Sequence, residues 1–274
     1  MKYVFFGTPE FAAIILEKLI EAGYVPAAVV CNPDRPVGRK KIITAPAVKS
    51  LIMKHKTWNI GILQPEKLDK EFTLHVLDSM PDVFIVAAYA KILPKEILEI
   101  PRLGTIGVHP SLLPKYRGAS PIQTALLHGE RETGVTLYLM DEKVDHGPVF
   151  AARKLEFPIS NFQFPILRQK LAELSGNLLV ETLPKFLDGK IIPEPQDESH
   201  ATYTKKFKTE DAFVDLEKDD MQVIVRKIKA LNPEPGTWTI RDGKRTKILE
   251  AEIDANGKLV LKKIQIEGQK PKNI

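Results

Sequence analysis

The chain has 274 residues, of which 43% are hydrophobic, 27% charged and 7% aromatic, and its net charge is +5. These proportions are typical of a folded globular protein and exclude disordered, collagen-like and fibrous classes. The longest apolar run, residues 83–90, is far shorter than the roughly 20 residues that span a bilayer, and the N-terminus does not resemble a signal peptide. We therefore expect a cytoplasmic protein with no membrane contact.

The first part of the chain alternates apolar strands with amphipathic helices. Residues 2–7 form an apolar run that ends in glycine, residues 11–20 carry a helical apolar face, and residues 25–31 form a second apolar run. Strands that are apolar throughout predict a parallel sheet covered on both faces. The same alternation predicts further strands at 82–88, 104–109, 134–140 and 149–155, and helices at 46–55, 67–79, 121–127 and 167–187.

The composition changes near residue 188. Residues 191–199 are rich in proline and acidic residues, which is typical of a linker. A helix at 220–230 and short strands follow, and the turn dipeptides Asp242-Gly243 and Asn256-Gly257 predict hairpins between those strands. We therefore expect an α/β catalytic domain, a linker and a small β-barrel-like domain, with boundaries at 1–187, 188–204 and 205–274.

Several cofactor classes lack their sequence signatures. Gly7-Thr8-Pro9 follows the first strand but has none of the further glycines that let a backbone approach a pyrophosphate, so we expect no NAD or FAD. No P-loop, zinc or serine-hydrolase spacing is present. Cys31 is the single cysteine, so it forms no internal disulfide, and we expect it buried at a strand end. We expect no metal.

Two polar segments follow predicted strands. His109 stands at the carboxyl end of the strand at 104–109, where open α/β sheets bind their ligands, and two prolines and two glycines make the next residues an irregular loop. Asp145 belongs to a segment with three carboxylates after the strand at 134–140. If the two strand ends are adjacent, Asp145 orients His109 and stabilises its protonated form. A structural histidine and ordinary loop carboxylates remain equally compatible with these residues.

These segments also carry a family resemblance. HPSLLPKYRGASPI (109–122) followed by TGVTLYLMDEKVDHG (133–147) resembles the 10-formyltetrahydrofolate-dependent formyltransferases. FGTPEFA (6–12), NPDRPVGRKK (32–41), AYAKILP (88–94), LNPEPGTW (231–238) and EGQKP (267–271) are similar to the branch that formylates methionyl-tRNA. The resemblance covers essentially the whole chain.

The resemblance implies a Rossmann-like, mostly parallel sheet with helices on both faces, followed by an OB-like C-terminal tRNA-binding domain. It implies transfer of the formyl group of 10-formyltetrahydrofolate to the amine of methionine on initiator tRNA. We also expect a monomer. His109 and Asp145 match the catalytic histidine and aspartate. The implied folate-binding residues are Ser111, Leu112, Leu113, Pro114, Tyr89 and Ile92, and the implied tRNA-binding residues are Arg35, Arg39, Lys40 and Lys41.

One position departs from the family. The usual Asn-x-His reads Gly107-Val108-His109 here, so the side chain that steadies the formyl oxygen is missing. Losing an oxyanion donor can cost roughly 10²–10³ in rate. Three alternatives therefore stay open: a formyltetrahydrofolate hydrolase, an amino-sugar formyltransferase, and a non-catalytic tRNA- or folate-binding protein.

Overall fold

The computed structural model describes residues 1–38, 40–156 and 162–274. It confirms the predicted α/β class, with a mostly parallel sheet and helices followed by a C-terminal antiparallel sheet. The strands up to residue 156 are β1 (Tyr3–Gly7), β2 (Ala28–Val30), β3 (Arg35–Val37), β4 (Ile42–Thr44), β5 (Gly61–Leu63), β6 (Val83–Ala87), β7 (Thr105–His109), β8 (Arg117–Gly118), β9 (Glu132–Leu139) and β10 (Val149–Glu156). The helices up to residue 187 are α1 (Glu10–Glu21), α2 (Ala47–Lys54), α3 (Lys70–Asp78), α4 (Lys95–Leu98), α5 (Pro121–His128) and α6 (Phe164–Leu187).

Seven of these strands form the central sheet, in the order β10-β9-β7-β6-β1-β2-β5. The pairs β5/β2, β2/β1, β1/β6 and β6/β7 are parallel, and the pair β7/β9 is antiparallel. The parallel strands therefore end at one edge of the sheet, and β9 runs back from that edge. This reversal decides how the site residues meet.

The core of the sheet follows from its apolar strands. All five residues of β1 are buried, so both faces of the strand are covered. On one face Phe6 packs edge-on against Phe84 of β6 and Phe72 of α3, with ring centroids 5.0 and 6.4 Å apart. Helix α1 buries Ile15, Leu16 and three further apolar side chains and one alanine, which is the face that its periodicity predicts.

Several short elements of this region have no counterpart in the sequence prediction. Strand β5 and helix α4 have three and four residues, too few for a periodic pattern to show. Residues 35–44, for which the sequence predicts no strand, form a hairpin in which β3 pairs antiparallel with β4. Both strands of this hairpin are exposed, so no apolar alternation marks them.

The chain divides into two compact units. The first contains residues 1–117, 134–155 and 169–201, and the second contains residues 118–133, the described part of 156–168, and residues 202–274. The predicted linker region thus contributes to the first unit as far as residue 201. No helix in the described ranges is long and apolar enough to cross a bilayer.

The C-terminal residues form a sheet beside one helix. Its elements are β11 (Tyr203–Thr204), α7 (Met221–Leu231), β12 (Trp238–Arg241), β13 (Lys244–Ile253), β14 (Leu259–Ile266) and β15 (Lys272–Asn273). Strands β12 to β15 pair in chain order as an antiparallel sheet, and the predicted Asp242-Gly243 turn joins β12 to β13. Ile224 and Ile228 of α7 pack with Ile248 of β13 and with Val214, which precedes the helix, to form the core of this C-terminal part. Asp220 caps α7 by accepting hydrogen bonds from two backbone amides.

Candidate active site

The structure brings His109 and Asp145 together. His109 is 5% exposed at the end of β7, and its Nδ1 lies 3.4 Å from Oδ2 of Asp145. Its Nε2 lies 2.8 Å from the backbone carbonyl oxygen of Tyr116. Both ring nitrogens therefore face hydrogen-bond acceptors, and a doubly protonated ring donates to both. A histidine held this way can take up and deliver a proton.

Asp145 reaches His109 by a different route from the one that the sequence suggests. Because β9 is antiparallel to β7, its last residue Leu139 lies opposite Ile106, near the start of β7. The loop after β9 must therefore fold back along the sheet. A Cβ on Gly147 would lie 1.8 Å from the carbonyl oxygen of Leu139, so only glycine fits this close return. Asp145 itself adopts a left-handed conformation, with φ of 49°.

The Asp145 loop is held by the proline-rich segment near residue 196. Gln196 donates hydrogen bonds from Nε2 to the carbonyl oxygens of Asp145 and Gly147, at 2.9 and 2.8 Å. Its Oε1 accepts hydrogen bonds from Arg117, at 3.1 and 2.8 Å. Arg117 is fully buried and makes a bidentate pair with Glu198, at 3.0 and 2.6 Å. We call Arg117, Gln196 and Glu198 the polar clamp of the Asp145 loop.

The charges of the clamp are matched. The hydrogen bonds from Arg117 lower the pKa of the Glu198 carboxyl below its ordinary value. On the same loop, His146 Nδ1 lies 2.6 Å from Oδ2 of Asp141, and its Nε2 lies 3.6 Å from Oε1 of Glu198. The segment that reads as a linker therefore holds the Asp145 loop through the neutral hydrogen bonds of Gln196, and the charge-assisted pair of Arg117 and Glu198 holds that segment in turn.

The predicted folate loop, Ser111 to Pro114, is pinned to the strand beside it. The Thr136 hydroxyl donates to the carbonyl oxygen of Ser111 at 2.7 Å and accepts from the amide of Leu113 at 3.0 Å. The Ser111 hydroxyl donates to the carbonyl oxygen of Lys115 at 2.6 Å. Thr136 pairs directly with His109 across the two strands. This loop is thus held in a fixed position relative to His109.

The other two predicted folate residues, Tyr89 and Ile92, follow β6. The Tyr89 ring packs edge-on against Phe6, with centroids 5.6 Å apart, and its hydroxyl is buried with no hydrogen-bond partner among the described residues. Burial raises the pKa of this phenol to about 12, so the group stays protonated and available as a donor. Ile92 is 85% exposed. Among the described residues, the hydrogen bonds of the His109 ring go to neither Tyr89 nor Ile92.

Gly107 lies directly under an aromatic ring. It pairs across the sheet with Tyr138 of β9, and a Cβ added to Gly107 would lie 2.4 Å from two carbons of the Tyr138 ring and 2.8 Å from its hydroxyl oxygen. The hydroxyl donates to Oδ1 of Asp145 at 2.6 Å. Burial and the nearby Asp145 charge raise the pKa of Tyr138 well above its ordinary value. A residue that the sequence reading missed therefore covers the anomalous glycine.

The predicted tRNA-binding residues lie on the hairpin of β3 and β4. Arg35 pairs with Glu66 at 2.5 Å, and both side chains are exposed. Lys40 and Lys41 are exposed in the turn, whereas Arg39 lies outside the described residues. Val37, Ile42 and Ile43 are also exposed on the two strands. The hairpin thus presents cations and apolar side chains to solvent.

The other site residues that sequence reasoning missed are the polar clamp and the carbonyl of Tyr116. Arg117 stands 79 and 81 positions before Gln196 and Glu198 along the chain, so no local pattern joins it to them. Tyr138 is the one aromatic residue in TGVTLYLM (133–140), but its place opposite Gly107 depends on the register of β7 and β9, which the sequence does not show. Across the described part of the chain, no cluster of three or more histidine, cysteine or carboxylate residues could hold a metal ion.

Comparison with known sequences defines the class of this chain, a one-carbon group transferase. The formyl transferase domain model matches residues 1–183, and the model of the formyl transferase C-terminal domain matches residues 206–259. The chain therefore belongs to the formyl transferase family of enzymes. It is 43% identical over 257 residues to the methionyl-tRNA formyltransferase of Dictyoglomus thermophilum, covering 93% of this chain and 80% of that one.

Solved structures share the fold at low sequence identity. Methionyl-tRNA formyltransferase from Clostridium thermocellum matches with a TM-score of 0.63 at 17% identity, over 97% of this chain and 98% of that one. HypX from Aquifex aeolicus, in complex with tetrahydrofolic acid, matches with a TM-score of 0.67 at 19% identity. That match covers 99% of this chain and 45% of the longer HypX chain.

Proposed function

We propose that this chain transfers the formyl group of 10-formyltetrahydrofolate to the amino group of methionine on initiator tRNA. The observation that supports this most directly is the buried His109–Asp145 pair beside a folate-type loop pinned by Thr136. The relative at 43% identity is a methionyl-tRNA formyltransferase, which specifies the acceptor.

The reaction needs proton transfers and stabilisation of an oxyanion. The neutral amine attacks the formyl carbon, a new carbon–nitrogen bond forms, and the carbonyl oxygen becomes an oxyanion. The amine nitrogen gives up one proton, the oxyanion collapses to a carbonyl as the bond from the formyl carbon to N10 breaks, and N10 receives one proton as tetrahydrofolate leaves. We assign the proton transfers to His109, with Asp145 stabilising its protonated form. The protonated ring also stabilises the oxyanion electrostatically.

We assign folate binding to the two loops that the resemblance implies. Ser111 to Pro114 is pinned beside His109, so its backbone can fix the donor relative to the proton shuttle. The buried hydroxyl of Tyr89 is an unused donor at the carboxyl end of the sheet, where open α/β folds bind ligands. A structure with the same fold, HypX, is in complex with tetrahydrofolic acid, which agrees with this assignment.

We assign tRNA binding to the basic hairpin and the C-terminal unit. Residues 201–274 contain 16 lysines and arginines against 12 acidic residues, and Arg35, Lys40 and Lys41 mark the hairpin. We expect affinity for tRNA to fall steeply with salt, because each phosphate contact contributes a slope of nearly one in log affinity against log salt concentration. Neutralising Arg39, Lys40 and Lys41 together reduces that slope if the hairpin contacts phosphates. An unchanged slope would remove the hairpin from the interface.

Hydrolysis is the competing reaction, and Gly107 is the observation that favours it. With no amide side chain at this position, water attacking the formyl carbon would give formate and tetrahydrofolate. Incubation with 10-formyltetrahydrofolate, with and without methionyl-tRNA, separates the two. We expect formyl-methionyl-tRNA to form in an amount equal to the tetrahydrofolate released. Formate released at the same rate with or without methionyl-tRNA would establish a hydrolase, and no turnover would leave a binding protein.

A further inference from the structure

Gly107 and Tyr138 form a matched pair at the point where the family asparagine is missing. They are direct neighbours across β7 and β9. The Tyr138 ring occupies the space above the glycine so fully that a Cβ there would meet ring carbons at 2.4 Å, a separation that real side chains do not adopt. An asparagine at 107 and this position of the Tyr138 ring therefore exclude each other.

The Tyr138 hydroxyl lies close to the Cβ position of the missing side chain. Its oxygen is 2.8 Å from the Cβ position of residue 107, which is about the reach of an asparagine amide group. The same hydroxyl donates a 2.6 Å hydrogen bond to Oδ1 of Asp145, and Oδ2 of that carboxylate faces Nδ1 of His109 at 3.4 Å. A chain of polar contacts thus runs from Tyr138 through Asp145 to His109.

The phenol is suited to a fixed role. Tyr138 is 3% exposed, and burial beside a carboxylate favours its neutral form, so it donates to Asp145 across the working pH range. A buried ring has few alternative rotamers, which fixes the direction of that hydrogen bond. The hydroxyl has one proton, and Asp145 accepts it, so the phenol is not a second donor to the formyl oxygen in this arrangement.

We propose that Tyr138 is a positioning residue that fills the space of the missing asparagine and holds Asp145 against His109. This inference rests on the proposed function of the His109–Asp145 pair. Gly107 and Tyr138 act as one unit: the glycine admits the ring, and the ring's hydroxyl orients the carboxylate. The protonated His109, held more firmly, then provides the oxyanion stabilisation to which an asparagine contributes in other family members.

The first test is Tyr138→Phe, which keeps the ring and removes the hydroxyl. We expect kcat for formyl transfer to fall roughly 10- to 100-fold while KM for 10-formyltetrahydrofolate stays within about twofold, because only the alignment of Asp145 changes. Tyr3→Phe is the matched control, since Tyr3 is a fully buried tyrosine of the same sheet that donates 2.7 Å to a backbone carbonyl far from the site. We expect this control to change thermal stability and leave kcat unchanged.

Combination with Asp145→Asn tests the route of the effect. If Tyr138 acts through Asp145, adding Tyr138→Phe to Asp145→Asn causes no further loss of kcat. Losses that multiply would show that Tyr138 acts independently and would overturn the proposal. A Tyr138→Phe variant with wild-type kcat would overturn it as well.

The Gly107→Asn variant tests the glycine half of the Gly107–Tyr138 pair. We expect this change alone to lower both thermal stability and kcat, because the Tyr138 ring must move, and Gly107→Asn with Tyr138→Leu to recover activity relative to Gly107→Asn alone. A rate increase in the single Gly107→Asn variant would refute the proposal that Gly107 and Tyr138 act together.

The imidazole ¹⁵N–¹H signals of His109 supply a readout independent of turnover: we expect them to shift in Tyr138→Phe and stay unchanged in Tyr3→Phe. If the wild-type enzyme forms no formyl-methionyl-tRNA, the proposed function fails. The His109 signals of Tyr138→Phe and Tyr3→Phe can still be compared in that case, and they decide whether Tyr138 positions the His109–Asp145 pair.

Discussion

Gln196 provides the sharpest test of how the Asp145 loop is held. The Gln196→Ala variant removes the two hydrogen bonds that fix the carbonyls of Asp145 and Gly147, and it takes one acceptor from Arg117. Each lost neutral hydrogen bond costs about 1 kcal/mol, and a charge-assisted one costs about 1.5 kcal/mol or more. Glu198 still pairs with Arg117, and water reaches part of the half-buried site. We therefore expect a loss of about 2–3 kcal/mol of folding free energy.

Thermal unfolding and formyl transfer measure the two consequences. For a domain of this size, 1 kcal/mol lowers Tm by roughly 2–4 °C, so we expect a decrease of about 4–12 °C. We expect kcat to fall roughly 10- to 100-fold, because a displacement of Asp145 of the order of 1 Å disturbs the proton transfer through His109. The decreases in Tm and in kcat both result from loosening the Asp145 loop.

Two further variants act as controls. Gln196→Glu keeps the shape and the acceptor for Arg117 but cannot donate to the two carbonyls, so we expect a loss of kcat at least as large as that of Gln196→Ala. Gln265→Ala removes one exposed hydrogen bond of the C-terminal sheet and is expected to change neither quantity appreciably. Wild-type kcat in Gln196→Ala would refute the reasoning, since the loop would then hold Asp145 without the clamp.

Three other predictions concern charge. Asp145→Asn is expected to lower kcat far more than it weakens folate binding, since its role is in the proton step; equal losses in titration and turnover would make it a ligand-positioning residue. The Arg117 hydrogen bonds hold the pKa of Glu198 below its ordinary 4.5, so the pair stabilises the fold above about pH 4.5 and this contribution disappears as pH falls through the lowered pKa. The Tm difference between wild type and Glu198→Gln should therefore be constant at neutral pH and shrink in acid; a difference that grows in acid would contradict this sign. Burial raises the pKa of the Cys31 thiol to about 11, so iodoacetamide at pH 8 should label it only on unfolding, and rapid labelling of the native protein would be the opposite result.

Local patterns in the sequence predicted most of the fold. The buried strands and the longer helices show periodic apolar residues, and dipeptides such as Asp242-Gly243 mark hairpin turns. Strand β5 and the exposed hairpin escaped prediction because neither has the length or the apolar alternation on which such reading depends. The antiparallel direction of β9 is also not visible, because a strand buried on both faces reads the same in either direction.

The site was only partly readable for a related reason. His109 and Asp145 follow strands and belong to recognisable motifs, so the sequence identified both as candidates. Tyr138, Arg117 and Gln196 act through partners that are distant along the chain or on the neighbouring strand, and strand register is needed to see them. Gly107 was recognised as anomalous, but its meaning depended on the ring across the sheet.

The polar clamp changes where the catalytic half of this chain ends. The match to the N-terminal family model stops at residue 183, whereas the side chains that hold the Asp145 loop, Gln196 and Glu198, lie beyond that boundary. A fragment cut at the family boundary would retain both residues proposed to be catalytic, His109 and Asp145, and lack the groups that hold Asp145 in place. Dissection of the enzyme into separately produced halves, or exchange of its C-terminal domain with that of a relative, should therefore place the junction after residue 201.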